Sequence, residues 1–252
     1  STPSSATSSS SAASSPPELL GAFLRLALGT VRGSCDAPRM SDAASSWTSW
    51  HDDYDDPASA LAQRLVVVVA RIRDALDALP PGPVHLLSVC AGQGRDVVAA
   101  LRDHPRAGDV VGLLVEADPH NVEVARSSLA GAGLGRIEVR CADASATDAY
   151  AGLEPADLLL LCGIFGNVPD DDVHRTVQHA PSLCARGAWV IWTRHRRRPD
   201  LTPTIRGWCA DAGLEELAFD SPGEDSFSVG TARVVVDPSP LVPGVRLFEF
   251  VR

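Results

Sequence analysis

The sequence predicts a doubly wound α/β fold, and three of its features do so. Apolar runs of five or six residues alternate with helix-patterned stretches from Val84 to Ala212, as parallel strands joined by helical crossovers require. A turn of small residues, Cys90-Ala91-Gly92-Gln93-Gly94, follows the first run, Val84–Val89. The second run, Val110–Val115, ends in Glu116. An apolar strand, a glycine turn and a later carboxylate form the layout of a nucleotide or nucleoside site at the carboxyl edge of a parallel sheet. The glycines admit a ligand close to the backbone, and the acid can accept from both ribose hydroxyls.

Residues 1–17 are mostly Ser, Ala, Thr and Pro. They bury too little apolar surface to offset ordering entropy, so disorder is expected. The apolar segment Leu19–Leu28 lacks the positively charged lead of a signal peptide and reads as an amphipathic helix or a docking segment. Gly33–Ser46 is a further connection, which makes 1–46 a disordered or loosely docked N-terminal segment. Order is expected from Trp47. Trp47, Trp50, His51 and Tyr54 cluster there, and Asp55-Asp56-Pro57 opens a helix over Ala58–Leu79 with an Asp cap. Leu61, Leu65, Val68, Val69, Ile72 and Leu76 give this helix an apolar face, and Pro80-Pro81-Gly82-Pro83 ends it. Residues 47–83 thus read as a helical lid or cap ahead of a main domain over 84–252.

After the first strand come a helix over Arg95–Asp103, the second strand, a helix over Asn121–Ala132 and a third strand over Ile137–Cys141. Asp157–Leu161 is a fourth strand, whose continuous leucines suit burial on both faces. Pro169 and three acids start a helix expected over Asp170–Cys184. Ala188–Trp192 is a fifth strand, and the helix Thr202–Ala212 ends at Gly213. Glu215–Phe219, Ser226–Val236 and Arg246–Val251 read as strands with no helix between the last two. An antiparallel hairpin therefore finishes the sheet.

At 252 residues and 45% hydrophobic content, the chain can build one full α/β core. A net charge of −10 argues against a nucleic-acid partner and against an anionic membrane surface. No apolar run approaches the roughly 18 residues of a membrane helix. The six cysteines, Cys35, Cys90, Cys141, Cys162, Cys184 and Cys209, form no CxxC pair and no zinc-ligand cluster. They read as reduced thiols of a cytoplasmic protein, with no metal site expected.

From about residue 84 to 252 the chain resembles the class I S-adenosylmethionine-dependent methyltransferases. Four segments at successive strand ends carry the resemblance. Ser88-Val89-Cys90-Ala91-Gly92-Gln93-Gly94 matches the family's acid-x-Gly-x-Gly-x-Gly motif, with Ser88 replacing the acid and Cys90 the first glycine. Glu116, followed by Ala117, matches the acid that binds the ribose hydroxyls. Ala142-Asp143-Ala144 matches the segment where an Asp side chain meets the adenine amino group and a backbone N–H meets the ring. Cys162-Gly163-Ile164-Phe165-Gly166-Asn167 matches the loop under the methionyl portion and the methyl group. The resemblance implies a Rossmann-like, seven-stranded, mostly parallel sheet with an antiparallel C-terminal hairpin. It also implies S-adenosyl-L-methionine as cofactor and methyl transfer as the reaction. With no acid at position 88, Ser88 or Asp96 would have to meet the methionyl ammonium. Read alone, Gly92 and Gly94 also fit an ordinary strand–helix turn, and Glu116 and Asp143 fit solvated strand-end acids. The G-x-G-x-x-G of a dinucleotide site is absent.

Trp50, His51 and Tyr54 either close over the cofactor and acceptor as a lid or dock the first helix on the core. Asn167 and Arg194 are candidates for the acceptor side. Arg64 either reaches the methionyl carboxylate or makes a surface ion pair. Thr193-Arg194-His195-Arg196-Arg197-Arg198 is a basic run at the same sheet edge. His195, with an ordinary pKa of about 6.5, could take the proton of an oxygen or nitrogen nucleophile, and His51 is the second base candidate. The arginines either hold an acceptor anion or balance nearby acids. The expected function is O- or N-methylation of a small-molecule acceptor, such as an aromatic or acidic metabolite, by direct in-line transfer. The alternatives are an aminopropyl-type transferase or a non-catalytic protein on the same fold. Oligomeric state stays open, because Leu19–Leu28 could dock on a second copy in a homodimer as readily as on its own domain.

Overall fold

The structure, a computed structural model, describes residues 52–224 and 226–251. The expectations for Leu19–Leu28, Cys35, Trp47, Trp50 and His51 lie outside the described residues. The apolar runs pair as predicted. Strands β1 (Val84–Val89), β2 (Val110–Glu116), β3 (Ile137–Cys141), β4 (Ala156–Leu161) and β5 (Cys184–His195) are parallel to their neighbours among themselves. Strands β6 (Leu214–Asp220) and β7 (Phe227–Val234) add the antiparallel hairpin, giving the order β3-β2-β1-β4-β5-β7-β6.

Side chains alternate across this sheet, so each face has its own core. On one face Leu86, Leu114, Leu158, Leu160 and Ile191 pack with Val68, Ile72, Val97, Val122 and Leu129. These last residues come from α1 (Ala60–Ala78), α2 (Arg95–Leu101) and α3 (Pro119–Gly131). On the other face Leu87, Val89, Val115, Leu159, Leu161 and Trp192 pack with Val173, Val177, Ile205 and Cys209. Those belong to α4 (Asp170–His179) and α5 (Thr202–Asp211). Helix α1 is thus a layer over the sheet, with Val68, Ile72, Ala75 and Leu76 buried.

Several boundaries differ from the sequence expectation, each for a local reason. Ser59, not an aspartate, caps α1, its Oγ accepting from the Ala62 amide at 3.0 Å. Asp52–Asp55 form a separate 3-10 turn ahead of it. Helix α4 stops at His179, and a 3-10 turn, Ala180–Leu183, replaces its expected last turns. Pro181 has no N–H for an α-helical bond, and its ring crowds the preceding turn. Strand β5 runs past Trp192 to His195, because β7 continues to pair with it through Arg194↔Ser228 and His195↔Phe227. Arg246–Val251 is not a strand. Both sides of β7 are already occupied, by β5 and β6, and the tail makes a single bridge, Ala146↔Arg246.

Gly230 of β7 stands opposite Trp192 of β5. A Cβ at this position would lie 2.1 Å from the Trp192 ring, which is buried with its centroid 6.0 Å from those of Phe165 and Phe219. Gly230→Ala should therefore destabilise the fold by about 3 kcal/mol, the upper end of ordinary overpacking costs. Chemical denaturation checks this, and an unchanged midpoint would mean that Trp192 has another rotamer open to it.

Candidate functional site

Strands β1 to β5 all end at one edge of the sheet, and chain order reverses between β1 and β4. A crevice at such a reversal, outside the carboxyl ends of the strands, is where open α/β sheets bind ligands. The turn after β1 lines it. Cys90, Gly92 and Gly94 have φ of +55°, +54° and +66°. Cys90 is the sole non-glycine with positive φ among the described residues, so it holds a strained glycine conformation where the resemblance expects glycine. Burial, with the nearby carboxylates Glu116 and Asp143, pushes its thiol well up, so it stays neutral. The Ala91 amide donates to the Val115 carbonyl at 3.0 Å. Gly94 caps α2, and a Cβ there would approach Leu114 Cδ2 to 2.9 Å. Gln93 is buried and committed inside the protein, accepting from Arg95 Nε at 3.0 Å and lying 3.4 Å from Asn121 Oδ1. Ser88 is buried between its register partners Leu114 and Leu160.

Glu116 closes the turn from the end of β2. Its Oε2 accepts from the Gly92 amide and its Oε1 from the Asp118 amide, each at 2.8 Å. Burial raises its pKa above the ordinary value, and these amides oppose the rise. Ala117 offers its carbonyl to the Cys141 thiol at 3.8 Å. After β3 the Ala142 amide donates to the Glu116 carbonyl at 3.0 Å. Asp143 Oδ1 accepts from the Ser145 amide at 2.9 Å and from the Ser145 hydroxyl at 2.6 Å. The buried Tyr150 hydroxyl donates to the Ala144 carbonyl. The site thus presents one carboxylate pinned to the glycine turn and a second held on the next loop.

The loop after β4 is fastened to the end of β5. The Gly163 amide donates to Thr193 Oγ1 at 2.9 Å, and Asn167 Nδ2 donates to the Gly163 carbonyl at 2.8 Å. Phe165 is fully buried against Trp192, inside the core. Burial pushes the Cys162 thiol up. Arg194 is turned inward, donating to the Phe165 carbonyl with Asp170 at 3.8 Å, and its buried Nε has no hydrogen-bond partner among the described residues. Arg196 pairs with Asp200 at 3.0 Å and Arg198 with Glu224 at 3.8 Å. Much of the basic run is therefore balanced within the fold. His195 differs. It packs against Gly166, where a Cβ would lie 3.2 Å from the imidazole Cδ2, and its Nδ1 is buried without a hydrogen-bond partner among the described residues. Burial first, then Arg194 and Arg197, lower its pKa from the ordinary 6.5. The ring is neutral at pH 7 and able to accept a proton.

On the other side of the glycine turn, Arg64 Nη2 donates to the Tyr54 hydroxyl at 3.1 Å. The Arg95 guanidinium lies 5.4 Å from the Tyr54 ring centroid and also holds Asp55 at 3.0 Å. Burial raises the pKa of the Tyr54 hydroxyl, opposed by Arg64, and the Arg95 contacts set the 3-10 turn beside the start of α2. Burial raises the Asp96 carboxyl, opposed by backbone amides and by Arg64. Sequence reasoning missed Ser145, Tyr150 and Arg246, which reach the site from outside the motif positions and left no local signal, and it gave Thr193 no role beyond the start of the basic run. A cavity of about 570 Å³ opens toward the opposite edge, lined in part by His85, Glu138, Leu153 and Leu241 and reaching Tyr150. Among the described residues no helix is long and apolar enough to cross a membrane.

A family profile described as a putative methyltransferase matches residues 60–209, which include all five parallel strands. No curated protein matches the chain. Several solved structures share the fold. Magnesium protoporphyrin IX methyltransferase from Synechocystis PCC 6803, with bound S-adenosylmethionine, is 16% identical over 75% of this chain and 91% of that one, at a TM-score of 0.57. An O-methyltransferase family 2 protein from Planctomyces limnophilus DSM 3776, in complex with apigenin, is 22% identical over 77% of this chain and 62% of that one, at 0.54. An O-methyltransferase family protein from Burkholderia thailandensis is 19% identical over 67% of this chain and 56% of that one, at 0.53. The chain thus spans 62% and 56% of the last two structures.

Proposed function

Because the chain belongs to the class I S-adenosylmethionine-dependent methyltransferases, we propose that it methylates an oxygen or nitrogen of a small-molecule acceptor, with the cofactor lying across the ends of β1, β2 and β3. The observation that carries this reading is the Glu116 carboxylate bonded to the Gly92 amide. It places an acid for a ribose diol beside a turn that admits a ligand close to the backbone. The donor set fits the cofactor. Glu116 would accept from the ribose hydroxyls and Asp143 from the adenine amino group. Asp96, a carboxyl at the first turn of α2 with Arg64 nearby, would meet the methionyl ammonium that Ser88 lacks the charge to hold. Cys90 keeps the glycine-like conformation, which weighs against a decayed, non-catalytic pocket.

When bound, S-adenosylmethionine supplies an activated methyl group for in-line displacement. The chain's own part is alignment and exclusion of water, which can contribute roughly 7–11 kcal/mol. Tyr54, held by Arg64 and Arg95, would cover the methionyl end. The neutral imidazole of His195 would accept the proton of a hydroxyl or amine nucleophile. Apigenin in one neighbour and magnesium protoporphyrin IX in the name of another support a small acceptor. The free thiols Cys90, Cys141, Cys162, Cys184 and Cys209 suit a reducing, cytoplasmic compartment.

Thermal unfolding with S-adenosylmethionine, S-adenosylhomocysteine and NAD tests the reading. A ligand at about 100 times its Kd stabilises by about 2.7 kcal/mol, a shift of several degrees. Both adenosyl ligands should raise Tm, NAD should not, and Glu116→Ala should abolish the effect. No shift with either adenosyl ligand at millimolar concentration would overturn the assignment.

A further inference from the structure

The donors around Asp143 run in one direction. Arg246 Nη1 donates to Ser145 Oγ at 2.7 Å, and the Ser145 hydroxyl donates to Asp143 Oδ1 at 2.6 Å. The same Nη1 lies 3.4 Å from Asp143 Oδ2. Ser145 is buried, whereas the Arg246 and Asp143 side chains are each more than half exposed. With the hydroxyl proton and the Ser145 amide both on Oδ1, Oδ2, which has Arg246 at 3.4 Å, keeps a lone pair for a ligand.

Arg246 is held in place for this. Its neighbours are laced to the loop after β3. The Thr147 amide donates to the Val245 carbonyl at 2.9 Å, and the Leu247 amide donates to the Ser145 carbonyl at 2.7 Å. Leu247 and Phe248 are buried in the core. Beyond them the Glu249 amide donates to Asp172 Oδ2 at 2.8 Å, and the Val251 amide to the Asn167 carbonyl at 2.9 Å. The tail therefore joins the loops after β3 and β4. Covering the core needs Leu247 and Phe248, but it does not need a guanidinium aimed at Asp143.

We infer that Arg246, acting through Ser145, fixes the Asp143 carboxylate in the orientation that accepts a purine 6-amino group, so that the C-terminal segment sets the purine selectivity of the cofactor site. This rests on the reading of Asp143 as the adenine-facing acid. An adenine amino group donates to the fixed carboxylate. A 6-oxo purine sets its carbonyl oxygen against that carboxylate and gains nothing from it. Arg246 is a positioning residue. Its loss lets the carboxylate turn, which weakens the adenine ligand and leaves the 6-oxo ligand where it was.

The test is calorimetric binding of S-adenosylhomocysteine and its 6-oxo counterpart, S-inosylhomocysteine, to the full chain and to Arg246→Met, Ser145→Ala and Asp143→Asn. Arg246→Met should weaken the adenosyl ligand about three- to fivefold with the inosyl ligand unchanged, because the ion pair that is lost is more than half exposed and screened by solvent. Added to Asp143→Asn it should change affinity less than about twofold, as expected for residues acting through one group. Ser145→Ala breaks the same relay without touching the tail and should repeat the pattern, which covers the case of an Arg246 variant that fails to fold. If Asp143→Asn weakens the adenosyl ligand while Arg246→Met and Ser145→Ala weaken both ligands equally or neither, the inference is wrong and the cofactor reading stands. If the unaltered chain binds neither ligand, the cofactor reading fails, and the inference with it.

Discussion

Glu116→Ala should weaken S-adenosylhomocysteine at least about a hundredfold. Two hydrogen bonds from ribose hydroxyls to a carboxylate contribute roughly 1.5–3 kcal/mol each, and every 1.4 kcal/mol is tenfold in Kd. The same change removes the acceptor of the Gly92 and Asp118 amides, so the ligand-free fold should lose about 1–3 kcal/mol as well. Glu116→Gln separates the two effects, since its amide oxygen can still accept from one of those amides while the charge is gone. pH offers an independent check. Burial raises the native pKa of Glu116 above 4.5. Between 4.5 and the raised value the folded chain holds the extra proton, so the ligand-free protein loses stability as pH rises through that window. Ribose binding takes the charged form and runs the other way, so affinity should fall as pH is lowered through the raised pKa. Isothermal titration carried from pH 7 down through pH 4.5 reads this. A Glu116→Ala variant that binds normally would remove Glu116 from the site.

The second large effect is expected at His195. Its neutral imidazole, beside the loop after β4, is the proton acceptor of the proposed reaction. Loss of a general base usually costs about 10²–10⁴ in rate. His195→Ala should lower kcat by that factor once an acceptor is in hand and leave cofactor Kd within about twofold. Burial and the charges of Arg194 and Arg197 lower the pKa below 6.5. The acid limb of the kcat profile should therefore fall below pH 6.5, with a plateau above it. The same shift gives a stability term. Between the lowered native pKa and 6.5 the unfolded chain binds more protons, so stability rises with pH across that window, and His195→Gln should flatten the rise. An acid limb that survives in His195→Ala would assign the proton to another group.

The strand ends were legible because they obey local rules. Five apolar runs separated by helix-length connections admit few arrangements other than a parallel sheet with its turns at one edge. The glycine turn, Glu116 and Asp143 then fall at that edge by counting along the strands. Cys90 was visible as a departure from the motif, and the structure shows it keeping the glycine conformation. The state of His195 was not legible. Its pKa is lowered first by burial, and its packing on Gly166 and its pairing with Phe227 of β7 come from parts of the chain that residues 188–195 do not encode. The orientation of Arg194 escaped for the same reason, since in sequence it is one of several arginines and in the fold it is bonded to the Phe165 carbonyl.

What the sequence by itself determined is the fold class, the sheet edge at which β1 to β5 end and the carboxylates that fall there. Continuous apolar runs, turn chemistry and strand-end position are properties of neighbouring residues. What only the tertiary structure decided is how those carboxylates are held: Glu116 by the amides of Gly92 and Asp118, and Asp143 by Ser145 and by Arg246 from 101 positions beyond that serine. The aromatic and aliphatic residues of Arg246–Val251 read locally as a strand. Because β7 has both its sides filled, the tail instead satisfies its amides on the loops after β3 and β4. A backbone donor must find an acceptor wherever the packed chain leaves one open, and that choice is made only when the whole sheet is assembled.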